Sequence, residues 1–432
     1  MKSKNLFAAL MLLGTLAPRH AAAQVTAYVC EGYDDEAISI ESKTDIVFSD
    51  DQKTVTIGTK TFDVASVDSI IFHEPQFPSV DIVWDGTTAT VTIPSSIKGV
   101  TSSVSGGHVT ITSTNTTDEL LYTLSGTSSN GSLTLNGSYK LTMHLNGVNL
   151  TSAKGAAVDI ECGKRVEVKL IKGTVNTFAD YAGGSQKGAF YCKGHLELKG
   201  KGTMNVTGNA KHALCSKEYL QLKSSLGELN ILGAKSDGIH CGEGDKTNPE
   251  NSRFTMNGGK VTISKCGNDC IDADDYGSMF INGGTATLNI SQNDGAGLKC
   301  DSIIYMTNGT INLNLTGNIS QGIRYNYDAY FMGGTITGNI SGNGSKGFKA
   351  KSTSTSSTVN KGGDTHFQGT NVELTLSGGT YTADNTKCGG IRVDKNYYQT
   401  AGDILVTIAN SAAIGLEVKG TTTRTGGTYT EN

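Results

Sequence analysis

A glycine that opens an alternating, β-branched strand recurs at Gly259, Gly284, Gly309 and Gly334, 25 residues apart each time. The phase resumes at Gly379, Gly402 and Gly427 after a 45-residue gap that holds an insertion. A second marker rides on the same period. It reads Gly238-Ile239-His240-Cys241, Cys270-Ile271-Asp272-Ala273, Gly297-Leu298-Lys299-Cys300, Gly322-Ile323-Arg324-Tyr325, Gly347-Phe348-Lys349-Ala350, Gly390-Ile391-Arg392-Val393 and Gly415-Leu416-Glu417-Val418. Upstream, Gly188-Ala189-Phe190-Tyr191 and His212-Ala213-Leu214-Cys215 continue it with less fidelity. One such unit cannot bury a core alone, whereas stacked units bury one continuous core. A barrel or sandwich also has closely spaced short strands, but no reason to keep one phase with the same turn residue. The repeat therefore predicts an all-β chain folded as a right-handed parallel β-helix, a solenoid.

In such a fold equal repeat positions form columns, with rungs about 4.8 Å apart. Alternation points Ile239, Ile271, Leu298, Ile323, Phe348, Ile391 and Leu416 inward. The column two residues on is also inward: Cys241, Ala273, Cys300, Tyr325, Ala350, Val393 and Val418, with Cys215 one rung earlier. An inward Tyr325 needs a partner for its hydroxyl. The inward cysteines read as small apolar residues with free thiols. Nine cysteines is an odd count, and Cys266 and Cys270 are close enough in sequence to pair.

Fifty-five glycines with only 5 prolines fit many short strands joined by tight turns. Residues 1–23 read as a signal peptide: Lys2 and Lys4 precede an apolar stretch from Leu6 to Leu16, and Ala21 to Ala23 offer a cleavage site. That stretch is too short to span a bilayer, so no transmembrane segment is expected. The mature chain is expected to be secreted, periplasmic or at the cell surface. Removing Lys2, Lys4 and Arg19 moves the net charge from −4 to −7. A chain without clustered positive charge has no nucleic-acid footprint. Residues 24–78 lack the repeat and read as a small all-β module, with Pro75 and Pro78 as a linker. Residues 79–432 are assigned to the β-helix, with 79–150 as an N-terminal cap and regular rungs from about Gly155. Insertions are expected from Gly242 to Asn251 and from Ser352 to His366.

Two patterns carry possible chemistry. Acidic residues crowd the turns beside the Ile column, with Asp237 stacking on Asp269 and Asp274 on Asp301; Asp272 lies between them. Carboxylates one rung apart repel, and a calcium ion bound by oxygens fits between them. The expected ligands are Asp237, Asp269, Asp272, Asp274 and Asp301. The second pattern is the outward column Lys299, Arg324, Lys349 and Arg392, preceded by His240 and Asp272. Nearby carboxylates would balance such a column, or it would match an acidic polysaccharide, with Tyr327, Tyr330, Tyr397 and Tyr398 as sugar-stacking faces.

The order of Lys187-Gly188-Ala189-Phe190, Leu196 to Leu198, Gly200 to Val206 and Asp237-Gly238-Ile239, with its Asn-Gly-Gly turns, resembles an exported family of carbohydrate-binding β-helices similar to polysaccharide lyases. Leu170 to Phe178 is similar to that family's entry into its first regular rungs. The likeness covers about residues 80 to 350. It implies calcium in the turns and binding of cellulose-like or pectin-like glycan without cleavage. The family's Asp-Asp-Gly-Ile turn reads here as Asn268-Asp269-Cys270-Ile271 and Asp294-Gly295-Ala296-Gly297. Three classes follow: a glycan-binding protein, which is favoured; a calcium-dependent pectate-type lyase with Lys299 or Lys265 as base; and an adhesive surface solenoid. A lyase base must remove the proton alpha to a uronate carboxylate, which for lysine requires a lowered pKa.

Overall fold

The computed structural model describes residues 25–31, 34–40, 45–71, 78–242, 249–274, 276–350 and 363–432. The signal segment, the linker around Pro75 and most of both insertions lie outside the described residues. The chain divides into two units, one through Pro78 and one from Ser79. In the first, Val25–Glu31 pairs antiparallel with Asp34–Ile40 and Ser69–Ile71, and Thr54–Ile57 pairs with Ile46–Phe48 and Lys60–Asp63. Ala27, Val29, Val55, Ile57, Val67 and Ile70 form its core.

The second unit is a parallel β-helix. Its first face runs through Gly131–Asn136, Val158–Glu161, Gly188–Cys192, His212–Ser216, Ile239–Cys241, Ile271–Ala273, Ala296–Cys300, Gln321–Tyr325, Lys346–Ala350, Gly389–Val393 and Ile414–Val418, each paired parallel with the next. Two further faces stack in the same way, through strands such as Met279–Ile281 and Ile304–Met306, and Thr285–Ile290 and Thr310–Leu315.

Ile239, Ile271, Leu298, Ile323, Phe348, Ile391 and Leu416 stand in one register, and the first six are buried. The turn glycines have a steric cause. Gly284 sits at φ +83°, and a Cβ there would lie 2.6 Å from the Gly259 carbonyl oxygen. Left-handed backbone and close approach together admit only glycine. The outer turns are laced by asparagines: Asn318 N–H donates to Asn293 Oδ1 at 2.9 Å, and Asn343 N–H to Asn318 Oδ1 at 3.0 Å. Tyr325 is fully buried, and its hydroxyl is hydrogen-bonded to Thr365 on the neighbouring face.

Three expectations are corrected. Parallel stacking starts well before Gly155: Leu120–Ser128 already pairs parallel with Ser79–Asp85 and Leu141–Thr151. These early rungs keep strand alternation without the glycine marker, so alternation alone suffices to stack them. The upstream marker is one residue out of phase, because Leu214 pairs with Ile239 and Phe190 with Leu214. Cys215 therefore belongs to the outward column beside His240, and Ser216 pairs with Cys241. The second insertion ends earlier than His366, since Thr365–Gln368 is a strand of the stack.

Candidate functional site

The outward column of the first face reads Tyr191, Cys215, His240, Asp272, Lys299, Arg324, Lys349, Arg392 and Glu417. Strand alternation sends these side chains outward while their neighbours fill the core. Above its earlier part lies a cleft of about 330 Å³. Asp237, Asp272, His212 and His240 line it together with Asn268 and Asp274, and Lys187, Lys211, Lys217 and Lys299 add four cationic side chains.

Asp237, Asp269 and Asp272 are each at most 3% exposed, and one carboxylate oxygen from each lies within 4.8 Å of the others. The register explains this. Asp237 and Asp269 precede Ile239 and Ile271 by two residues in paired strands, and Asp269 N–H donates to Asp237 Oδ1 at 3.1 Å. Asp269 Oδ1 accepts from Ala296 N–H at 2.7 Å, and Asn268 Nδ2 donates to Asp237 Oδ1 at 2.8 Å. His212 Nδ1 and His240 Nδ1 sit 3.0 and 3.2 Å from Asp237 Oδ2, their rings stacked with centroids 4.2 Å apart. Lys299 Nζ lies 3.0 Å from Asp272, 3.5 Å from Asp274 and 3.8 Å from Asp269.

These neighbours divide the ionisation states. Burial pushes the Asp269 carboxyl up to about 7, with Asp272 adding to the effect. Burial would also raise Asp237, but hydrogen bonds from His212 and His240 hold it well below the usual carboxylate range. Burial works against charge on His240, yet Asp237 and Asp272 lift it to about 9. Lys299 is likewise raised despite burial, by Asp272 and Asp274. Asp301 is pushed up to about 6 by burial and by its hydrogen bond to Asp274.

The carboxylates of Asp237, Asp269 and Asp272 lie close enough together that they could hold a hard cation. Asp272 Oδ1 is buried and has no hydrogen-bond partner among the described residues, and a lone buried carboxylate oxygen is costly unless a cation or donor meets it. Oxygen ligands favour calcium, with the rest of its 6–8 positions left to other oxygens. Of the five expected ligands, the structure brings Asp237, Asp269 and Asp272 together. Asp274 and Asp301 form a separate pair, linked to the cluster through Lys299.

The expected basic column is in register, but its members differ. Lys299 is committed to carboxylates, and Arg392 faces Asp394 at 3.5 Å and Glu417 at 3.9 Å. Arg324, Lys349 and Tyr327 are half-buried, and of the column's basic residues Lys299 lines the cleft. Tyr397 is fully buried and has no face for a sugar. Tyr330 and Tyr398 belong to a ladder with Phe280, Tyr305 and His366, whose rings stack at 4.6 to 5.4 Å and cover one another's faces. Sequence reasoning missed Lys187, Lys211, Lys217, Tyr191 and His212; the signal was their place beside the Leu214 and Phe190 strands once those are set in phase.

The second unit is thus a parallel β-helix whose first face carries a cleft floored by acidic residues. The chain belongs to the family of carbohydrate-binding domain-containing proteins, whose model matches residues 105–429. Among solved structures it is similar to the polysaccharide lyase-like protein from C. thermocellum (gadolinium derivative), at 18% identity and a TM-score of 0.38, over 78% of this chain and 99% of that one. No curated protein matches it. Among the described residues, no helix is long and apolar enough to cross a membrane.

Proposed function

We propose that this is an exported protein that binds acidic, pectin-like polysaccharide over the cleft of its first face and does not cleave it. The observation that carries the reading is the pairing of a buried acidic floor with cationic side chains around the same cleft. Calcium held by Asp237, Asp269 and Asp272 would offer open positions to uronate oxygens. Lys187, Lys211 and Lys217 would meet further carboxylates, and Arg324, Lys349 and Arg392 extend the cationic track along later rungs. Export rests on the N-terminal charge and apolar pattern of the sequence.

Binding is favoured over lyase chemistry because a lysine base must be neutral when it takes the proton. Lys299 stands among three carboxylates that favour its charged form. Lys265 is exposed in a turn and does not line the cleft. The test is calorimetric titration with polygalacturonate and with a neutral β-glucan, each with calcium and with chelator, alongside ultraviolet absorbance for unsaturated ends. Calcium-dependent binding of polygalacturonate without absorbance supports the proposal. Absorbance that grows with time makes the protein a lyase, and no binding to either polymer leaves the surface-solenoid reading.

A further inference from the structure

The turn that presents Asp269 is bracketed by two cysteines. Cys266 Sγ lies 3.3 Å from Cys270 Sγ, and both residues are buried. Each of the two also lies 3.6 Å from a backbone carbonyl, of Asn268 and Asn289, as Cys162, Cys300 and Cys241 lie near those of Tyr139, Gly277 and Ser252, but among the described residues only this pair brings two sulfurs together. The backbone at both cysteines is anchored. Cys266 bridges Ala234, and Cys270 N–H donates to the Ala296 carbonyl at 2.8 Å.

We infer that Cys266 and Cys270 close a disulfide under oxidising conditions and that this bond positions the Asp269 carboxylate. Oxidation removes one hydrogen from each thiol and joins the two sulfurs. By exchange with a small-molecule disulfide, two electrons and two protons pass to the oxidant, which leaves as two thiols. The sulfurs stand 3.3 Å apart and must close about 1.3 Å to reach the length of a disulfide bond. Both cysteines are inaccessible in the folded chain, so the bond forms as the rungs assemble. The closed loop is short, so it removes little entropy from the unfolded chain. Its effect is local. The loop holds Asn268 and Asp269, whose bonds to Asp237 and to Ala296 set the acidic floor.

The full chain, refolded in a glutathione redox couple, blocked with iodoacetamide without reduction and digested with trypsin, tests this directly. Cleavage after Lys265 and Lys299 places both cysteines in peptide 266–299, which holds no other cysteine. The expected peptide carries no alkyl group and is lighter by two hydrogens, and the denatured protein shows seven reactive thiols where nine are free in the reduced chain. Double alkylation of that peptide, or a mass joining either cysteine to another peptide, overturns the bond. Hydrogen exchange at residues 267–269 should slow on oxidation. If the bond forms and exchange there is unchanged, the positioning role is overturned. Neither readout depends on which glycan binds.

Discussion

Lys299 Nζ lies 3.0 Å from Asp272 Oδ2, and the two residues are direct neighbours in one outward column, a single rung apart. A cation built into the chain therefore sits where the buried acids would otherwise face one another.

Removing that charge should expose the acids' cost. Lys299→Met keeps the aliphatic stem and leaves Asp272 and Asp269 without their ammonium partner. Breaking a buried ion pair from one side costs about 3 kcal/mol. Denaturant unfolding in chelator should show a loss of this order. Calcium should restore part of it, because the ion takes up the charge-balancing role. A variant as stable as wild type in chelator would show that the acids are protonated without Lys299.

The metal-free protein should lose stability as pH rises. Asp269 titrates at about 7 when folded against 3.8 in a free carboxyl, so the native state holds the extra proton and stability falls from about pH 4 to pH 7. For Asp269 alone the span is on the order of 4 kcal/mol. His240, lifted to about 9, contributes stability that is complete below about 6.5 and is lost as pH rises through 9. Both groups act in the same direction. Calcium binds ionised carboxylates, so its gain in melting temperature should be larger at pH 8 than at pH 5. Melting curves with chelator or calcium across that range test this, and Asp269→Asn should flatten the chelator curve.

Glycan binding should depend on the cleft lysines more than on the later column. Replacing Lys187, Lys211 and Lys217 together by Ala should weaken polygalacturonate binding by about tenfold, or about 1.4 kcal/mol. The double replacement Lys299→Ala with Lys349→Ala should also weaken it. Raised salt should shrink the effect of the triple replacement, since the charges of Lys187 and Lys211 are exposed and therefore screened. If neutral glucan responds as strongly as polygalacturonate, charge does not select the polymer.

The core should be sensitive rung by rung. Phe348 is fully buried, with ring centroids 5.3 Å from Phe331 and 5.6 Å from Phe367. Phe348→Ala should cost about 3–5 kcal/mol. Tyr325→Phe leaves the buried Thr365 hydroxyl without its partner and should cost about 1 kcal/mol. Chemical denaturation of each variant reads both numbers.

The fold was legible because a fixed 25-residue phase and strict alternation leave one register for the later rungs. Asp237 over Asp269 and Asp274 over Asp301 followed from that register without coordinates. Upstream, the marker places Cys215 one residue out of phase, since it pairs with His240. The four-residue marker there begins with His212 in place of glycine, and only the bulk of Leu214 and Phe190 tells which residue faces inward. That single-residue slip also hides Lys187, Lys211 and Lys217, which belong to those rungs. The commitment of Lys299 to three carboxylates lay beyond sequence, because side-chain reach across a rung is decided by packing.

A stack of like units behaves energetically as a linear chain of junctions, each unit held mainly by the two beside it. The acidic cluster crosses two of these junctions in the body of the stack, joining the rungs of Asp237, Asp269 with Asp272, and Lys299. Repulsion between acids there would weaken a seam, and a cation laid across it would act as a clamp. If calcium binds as proposed, occupancy of the cluster and cohesion of these rungs are thermodynamically linked.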